Sequence, residues 1–194
     1  MNTNLIITDN FYVYPDVVRE FALNQEFSVY GNYPGQRTQT FHYDDLKRCI
    51  QQLVQQAGGM ITQFEEFDYN TAYQYTTSKD KSWIHADQNT MWAGVCYLTP
   101  DAPLSSGTGL FRHKKTGLYG SSYLADGSYD QVTMDKVYKD SRDMSKWDMV
   151  DMVSNKFNRL VLYRGNSFHT SLDYFGKDKH DGRLFQTFFF NTEY

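Results

Sequence analysis

The apolar positions of the first sixty residues follow a helical period. Pro15 suits the first turn of a helix, and apolar residues recur after it at helical spacing. A second stripe, within residues 46–54, recurs at i, i+3, i+4, i+7 and i+8 and stops at Gly58 and Gly59, where glycine commonly ends a helix. These patterns predict two helices in an N-terminal part, residues 1–59.

After residue 59 the pattern changes to short runs rich in Tyr, Phe, Val and Thr, separated by Gly, Asp, Asn and Ser. Runs of this kind predict β-strands. We expect one domain, residues 1–194, whose β core is residues 60–194 and forms a sandwich or jelly roll with the helices packed outside it. The predicted strands are Met60–Phe67, Tyr69–Thr77, Met91–Thr99, Gly109–His113, Arg159–Tyr163, Ser167–Leu172 and Arg183–Asn191.

Residues 114–158 interrupt the strand pattern with polar, turn-rich sequence that leads into a predicted helix. Ser145 and Asp148 suit the start of that helix. Its buried stripe would be Trp147, Val150 and Val153. An insertion between strands is a common place for a substrate loop, so we expect these residues to form a lid.

Composition and charge narrow the class of protein. Aromatic residues make up 17% of the 194 residues, whereas disordered chains lack them. The net charge of −4 argues against a nucleic-acid partner. No run approaches the ~18 apolar residues of a membrane-spanning helix, and the first residues lack the features of a signal peptide, so we expect a cytoplasmic protein.

Cys49 and Cys96 lie in apolar contexts without CxxC spacing and are expected to be buried free thiols.

Two of the five histidines belong to an HxD triplet. His42-x-Asp44 directly precedes the second predicted helix, where the aspartate is explained as a first-turn acid. His85-x-Asp87 precedes a predicted strand, and residues i and i+2 of an extended segment face the same side. With His169 as a third ligand, two imidazoles and a carboxylate could bind Fe(II) on one side. The alternative is that both histidines are ordinary buried residues.

Arg183 opens an apolar strand fourteen residues after His169. Period-2 alternation places Arg183, Phe185, Thr187 and Phe189 on one face of that strand. A charge that faces a core must be paired, and a guanidinium can bind a carboxylate through two hydrogen bonds. The alternative is that Arg183 faces solvent at the start of the strand.

His85-x-Asp87, His169 and Arg183 together resemble the HxD…H…R/K signature of the Fe(II)/2-oxoglutarate-dependent dioxygenases, and most of all the prolyl-hydroxylase-like branch. The resemblance covers about residues 69–192. It implies a double-stranded β-helix of the cupin-like kind, with Fe(II) bound by the two histidines and the aspartate. It also implies 2-oxoglutarate and O2 as co-substrates.

The resemblance also implies two contacts to 2-oxoglutarate. In the branch, a tyrosine about ten residues before the HxD motif contacts this acid, and Tyr75 is the matching position, with Tyr73 as the second choice. Arg183 would pair with the far carboxylate. The usual glycine before the HxD motif is absent, and many members place the basic residue ten or eleven positions after the distal histidine, so Lys177 and Lys179 are alternatives to Arg183.

The activity implied by the resemblance is hydroxylation of a small-molecule or peptidyl substrate, coupled to decarboxylation of 2-oxoglutarate to succinate. The alternative is a cupin-type metal-binding protein without oxygenase activity, such as an isomerase or a ligand-binding module. Such proteins carry an extra His or Glu ligand near the first motif, and here only Gln88 has comparable reach. A third reading is an interaction protein that kept the fold and lost the activity.

Overall fold

The computed structural model describes residues 3–193. Within that range the chain forms three α-helices, one short 3-10 helix and ten β-strands. The helices are α1 (Pro15–Leu23), α2 (Asp44–Gly58) and α3 (Gln131–Lys139), with the 3-10 helix at Met144–Lys146. The strands are β1 (Leu5–Thr8), β2 (Gln36–Arg37), β3 (Met60–Gln63), β4 (Tyr73–Thr76), β5 (Trp92–Tyr97), β6 (Thr108–His113), β7 (Trp147–Val153), β8 (Leu160–Arg164), β9 (His169–Ser171) and β10 (Arg183–Glu193).

The strands form two antiparallel sheets. The large sheet has the order β1-β8-β5-β10-β4-β2, and β3 also pairs with β10. The small sheet has the order β7-β6-β9. Val95 of the large sheet and Leu110 of the small sheet belong to one buried cluster, so the two sheets share a core. This architecture confirms the predicted fold class, mostly β with flanking helices in a jelly roll.

The alternation along β10 sorts its side chains between two layers. Phe185 and Phe189 lie in or against the cluster between the sheets, as the period-2 pattern predicts. Leu184, Phe188 and Phe190 lie in the cluster on the other face. Helices α1 and α2 pack their buried residues into that second cluster, so one face of the large sheet carries these two helices and the other faces the small sheet.

The stretch that was predicted to form a helix after Ser145 is strand β7. Six residue pairs join β7 to β6, including Val153 opposite Thr108. Apolar residues three apart fit a helix, but here pairing with β6 overrides that local pattern. Ser145, expected to begin that helix, lies in the 3-10 helix, where its backbone amide donates to Asp143. The insertion also contains α3, which begins after the capping residue Asp130 and which the turn-rich composition did not predict.

The N-terminal part is less purely helical than its pattern predicts. Strand β1 pairs with β8, with Leu5 opposite Tyr163, and β2 pairs with β4. Residues 1–2 of this part, and residue 194 at the other end, lie outside the described residues. Cys96 is a buried free thiol as predicted, but Cys49 is exposed on α2, so that half of the prediction is wrong. No helix within residues 3–193 is long and apolar enough to cross a membrane.

Candidate metal centre

The two predicted histidine ligands lie directly opposite each other. His169 begins β9, and His85 lies in an extended segment that forms an isolated antiparallel bridge with it. The His85 amide donates to the His169 carbonyl at 3.1 Å, and the His169 amide donates to the His85 carbonyl at 2.8 Å. The imidazole centroids lie 4.5 Å apart. Backbone pairing therefore brings together two side chains that are 84 residues apart in sequence.

Asp87 completes a group of three possible ligands. Its Oδ1 lies 3.8 Å from His85 Nε2, and its Oδ2 lies 3.4 Å from His169 Nε2. One ligand atom from each of the three residues lies within 4.8 Å of the other two. The Asp87 amide donates to the carbonyl of Gly165 at 2.8 Å, which anchors the extended segment beside the turn before β9. The three residues predicted from their spacing are thus brought to one place.

The other ring nitrogen of each histidine is already engaged. His85 Nδ1 lies 2.9 Å from the carbonyl oxygen of Trp83, and His169 Nδ1 lies 2.8 Å from that of Ser167. A carbonyl only accepts, so each Nδ1 carries a proton, and in the neutral ring the lone pair then lies on Nε2. This is the tautomer a metal-binding imidazole needs, and the residues present therefore fit a divalent metal.

Burial keeps His169 in its neutral form. Its side chain is 5% exposed, and desolvation lowers its pKa to about 4, opposed by the nearby Asp87 carboxylate. The ring of Tyr163 packs 4.5 Å from the His169 ring, centroid to centroid. One side of the triad is therefore enclosed, while His85 and Asp87 remain partly open, with side chains 31% and 21% exposed.

A cavity of about 890 Å³ lies in front of the triad between the two sheets. Its wall includes His85, Asp87 and His169 together with Arg183, so the predicted arginine and the predicted ligands share one cavity. Aromatic and apolar side chains cover much of the remaining wall. They include Trp83, Val95, Tyr138, Tyr163, Phe185 and Phe189.

Arg183 is buried inside the roll rather than exposed at the start of its strand. It is 1% exposed, and its Nε donates to the carbonyl of Ser106 at 3.0 Å. Its Nη2 donates to the carbonyl of Gly107 at 3.5 Å. Its Nη1 is buried and has no hydrogen-bond partner among the described residues. Arg183 forms no ion pair with a carboxylate of residues 3–193, so none of those carboxylates lies within 4 Å of its guanidinium.

The structure does not bring Tyr75 to the site. Tyr75 lies opposite Leu184 in the sheet, so it faces the helical layer, whereas Arg183 faces the cavity. Its hydroxyl donates to Gln36 at 2.8 Å, and its ring packs on Phe27. Tyr73, two residues away, is buried on that same outer face. The register of β4 sends odd-numbered residues outward, which spacing in the sequence cannot reveal.

The tyrosine beside Arg183 is instead Tyr97. The Arg183 guanidinium carbon lies 5.2 Å from the Tyr97 ring centroid, and the Tyr97 hydroxyl lies 2.7 Å from Thr108 Oγ1. Burial raises the Tyr97 pKa, so its hydroxyl stays protonated. Thr170 Oγ1 is a second buried polar atom without a partner among the described residues, and Thr170 lines the cavity. Neither residue carries a motif that would have singled it out.

The alternative basic residues lie in an outer loop. Lys179 donates to the carbonyl of Leu23 at 2.5 Å and contacts the Phe27 ring. Lys177 is exposed, and its backbone amide donates to Asp181. Neither lysine lines the cavity, whereas Arg183 does. The other HxD triplet is also remote, because Asp44 begins α2 and is exposed.

Fold and site together define a jelly-roll protein with a His-Asp-His group that can hold a metal ion. The model of DUF6445, a family of unknown function, matches residues 1–190, and the chain belongs to this family. No curated protein matches the chain.

Several solved structures share the fold at low sequence identity. HygX from Streptomyces hygroscopicus, with nickel and 2-oxoglutarate bound, aligns at a TM-score of 0.65 and 10% identity, covering 100% of this chain and 84% of HygX. A prolyl hydroxylase from Trichoplax adhaerens aligns at a TM-score of 0.55 and 12% identity, over 97% of this chain and 84% of that one. A prolyl-4-hydroxylase from Pseudomonas putida aligns at a TM-score of 0.53 and 15% identity, over 98% and 94%. The fold implied by the resemblance is confirmed.

Proposed function

We propose that this protein is an Fe(II)- and 2-oxoglutarate-dependent oxygenase that hydroxylates a small-molecule or peptidyl substrate. The overall reaction converts R–H, 2-oxoglutarate and O2 into R–OH, succinate and CO2. The observation that carries the proposal is the pairing of two features in one cavity. A His-Asp-His group lines that cavity together with a buried arginine that has no anionic partner within residues 3–193.

Three side chains would hold the metal: His85, Asp87 and His169. Fe(II) held by these three residues would supply the redox chemistry of the reaction. The protein holds the ligands in advance of binding, because the backbone bridge positions both histidines and the two carbonyl contacts orient their rings.

Arg183 would bind the carboxylate of 2-oxoglutarate that lies away from the metal. A buried cation without a carboxylate partner is costly, and its unpartnered Nη1 supplies a donor for that carboxylate. Thr170 Oγ1 is a further unpartnered polar atom of the cavity that could donate to the acid. In HygX, 2-oxoglutarate is bound together with nickel, which supports the assignment of this acid.

The walls of the cavity would exclude water from the reacting centre. Phe185 and Val95 face the space between the sheets, and Tyr163 covers His169. An apolar enclosure strengthens the electrostatic contacts to the bound acid and limits side reactions with solvent. Tyr138 lines the cavity from α3, which belongs to the predicted lid. We therefore keep in the proposal that this part of the insertion closes over the substrate.

Melting temperatures measured with Mn(II), with 2-oxoglutarate, and with both test the proposal. We expect Mn(II) to stabilise the protein and 2-oxoglutarate to add stability only when the metal is present, because the acid needs both the metal and Arg183. Succinate formation with Fe(II) and O2 then tests the reaction. A cupin-type protein without oxygenase activity would bind the metal, but 2-oxoglutarate would add no stability and no succinate would form.

A further inference from the structure

A second arginine lines the cavity beside the triad. Arg37 belongs to β2, at the edge of the large sheet, and lies opposite Gln74, which in turn lies opposite Phe185. Residues directly opposite in neighbouring strands share a face, so Arg37 is on the same inner face as Phe185. Like Gln74, it forms part of the cavity wall.

The Arg37 guanidinium is held in one orientation. It is 6% exposed and lies against two adjacent tyrosine rings, 3.7 Å from the Tyr33 centroid and 4.5 Å from the Tyr69 centroid. Its Nε donates to Gln74 Oε1 at 2.8 Å, and its Nη2 donates to the same oxygen. Gln74 is fixed in turn, since its Nε2 donates to the carbonyl of Pro34 at 2.6 Å. Among residues 3–193, Nη1 of Arg37 has no hydrogen-bond acceptor, and it is not fully enclosed.

This buried cation has no carboxylate partner in the part of the chain that the structure describes. No Asp or Glu of the described chain forms an ion pair with Arg37 within 4 Å. Glu66, Asp68 and Asp87 also line the cavity, but Glu66 and Asp68 are exposed, and Asp87, whose charge acts on Arg37 from beyond 4 Å, lies with the two histidines. Burial lowers the pKa of Arg37 to about 10, so the group still carries its charge at neutral pH. Two ring faces and an amide oxygen compensate a buried charge only in part.

The geometry points to Arg37 as the binding site for an oxyanion, a carboxylate or a phosphate, on the organic substrate. The inference rests on the proposed function, since it concerns the molecule that would be oxidised there. A planar guanidinium that is fixed by Gln74 and packed against two rings, with Nη1 left without a protein acceptor in residues 3–193, suits such a group.

Two arginines in one cavity require two anions. 2-Oxoglutarate has two carboxylates, one of which would bind the metal, so a single carboxylate remains for Arg183. Arg37 lies two strand spacings from β10, about 10 Å across the sheet, with Gln74 between the strands. The two guanidinium groups also have separate contacts, Gln74 for Arg37 and the carbonyls of Ser106 and Gly107 for Arg183, so the second anion would come from another molecule.

Anion binding to the Mn(II)- and 2-oxoglutarate-saturated protein tests the inference. We would titrate inorganic phosphate and, separately, acetate by calorimetry into the wild type and the variants Arg37→Met and Arg48→Met. Arg48 is an exposed arginine of α2 whose partner is Asp45, and it serves as the matched control. We expect at least one of the two anions to bind the wild type and Arg48→Met alike and about tenfold more weakly to Arg37→Met. Equal affinity in all three proteins, or no anion binding to the wild type, would overturn the inference.

Paired compounds identify the chemistry of the anion. Carboxylic acids would be compared with their amides, and phosphate monoesters with their parent alcohols, by the succinate they elicit and by their binding. We expect the anionic member of a pair to be preferred in the wild type and the preference to disappear in Arg37→Met. Preference for the neutral members would contradict the inference.

Two further readouts separate the possible failures. If Arg37→Met does not fold, Arg37→Lys is used, because lysine keeps the charge but lacks the planar guanidinium. We expect Arg37→Lys to bind the anion with intermediate affinity. Wild-type affinity in Arg37→Lys would count against recognition by the guanidinium. If Mn(II) and 2-oxoglutarate do not stabilise the wild type, the proposed function itself fails. If they do and the anion results do not depend on Arg37, only the present inference fails.

Discussion

The backbones of His85 and His169 exchange two hydrogen bonds across an isolated antiparallel bridge, at 3.1 and 2.8 Å. The same two residues present their Nε2 atoms to Asp87. The spacing of the three possible ligands therefore depends on main-chain pairing rather than on flexible side chains. Ligands held in this way lose little conformational freedom when a metal binds.

Removal of Asp87 should abolish metal binding. In Asp87→Ala the two imidazoles keep their backbone contacts, but the only carboxylate of the group is lost. We expect the rise in melting temperature with Mn(II) to disappear and succinate formation to fall at least a hundredfold, about 3 kcal/mol.

Asp44→Ala is the matched control for that experiment. Asp44 ends the other HxD triplet and is exposed in the first turn of α2. Its loss should leave the response to Mn(II) unchanged. A wild-type response in Asp87→Ala would rule out the proposed metal centre.

Replacement of Arg183 should separate function from stability. In Arg183→Met a buried charge without a carboxylate partner is lost, and a side chain of similar length fills the space. The two carbonyls it contacts keep other donors, Asn155 Nδ2 for Ser106 and the Leu172 amide for Gly107. We expect the free energy of unfolding to change by less than about 1 kcal/mol, whereas the Kd for 2-oxoglutarate rises at least tenfold, or about 1.4 kcal/mol.

The Mn(II) response of Arg183→Met provides the internal control. It should match that of the wild type, since the metal ligands are intact. Unchanged affinity for 2-oxoglutarate in a folded, metal-binding variant would show that Arg183 does not bind the acid.

Two tyrosine variants test the correction to the expected 2-oxoglutarate contact. Tyr75→Phe should leave the Kd for 2-oxoglutarate unchanged, because the Tyr75 hydroxyl donates to Gln36 on the outer face. Tyr97→Phe removes the contact with Thr108 beside Arg183, and loss of one buried hydrogen bond costs about 1 kcal/mol. We expect a Kd about fivefold higher, with Tyr97 acting as a positioning residue. Calorimetric titration of 2-oxoglutarate into both variants measures the two Kd values. A higher Kd in Tyr75→Phe than in Tyr97→Phe would show that Tyr75 is the contact.

The ion pairs of Asp9 should make stability depend on pH. Asp9 accepts from Lys156 at 2.8 Å and from Arg159 Nε at 2.6 Å, and these contacts hold its pKa well below the ordinary value of 3.8. The folded state therefore binds this proton less readily than the unfolded chain. The contribution is fully present above about pH 4 and is lost as the pH falls further.

Asp9→Asn measures that contribution. The Asp9 side chain is 35% exposed, so we expect solvent screening to limit the loss in unfolding free energy at neutral pH to under about 1 kcal/mol. Urea unfolding of both proteins should give curves that converge as the pH falls below about 4. A difference that grows with acidification would contradict the assignment.

Local patterns in the sequence determined most of the secondary structure and the identity of the possible metal ligands. Each of the seven predicted strands overlaps an observed strand, because period-2 alternation and turn residues act over a few neighbours. The triplet of His85 and Asp87 faces one side for the same local reason. His169 and Arg183 follow from their places in predicted strands, and the family resemblance joins them to that triplet.

Tertiary structure decided which face each strand presents and which segments pair. The register of β4 places Tyr75 outside, and pairing with β6 makes a strand of residues 147–153. Arg37 had no signal in sequence, because a two-residue strand is too short to show a period. Sheet register and long-range pairing depend on residues far apart in the chain, so only the folded structure places Arg37 and Arg183 in one cavity.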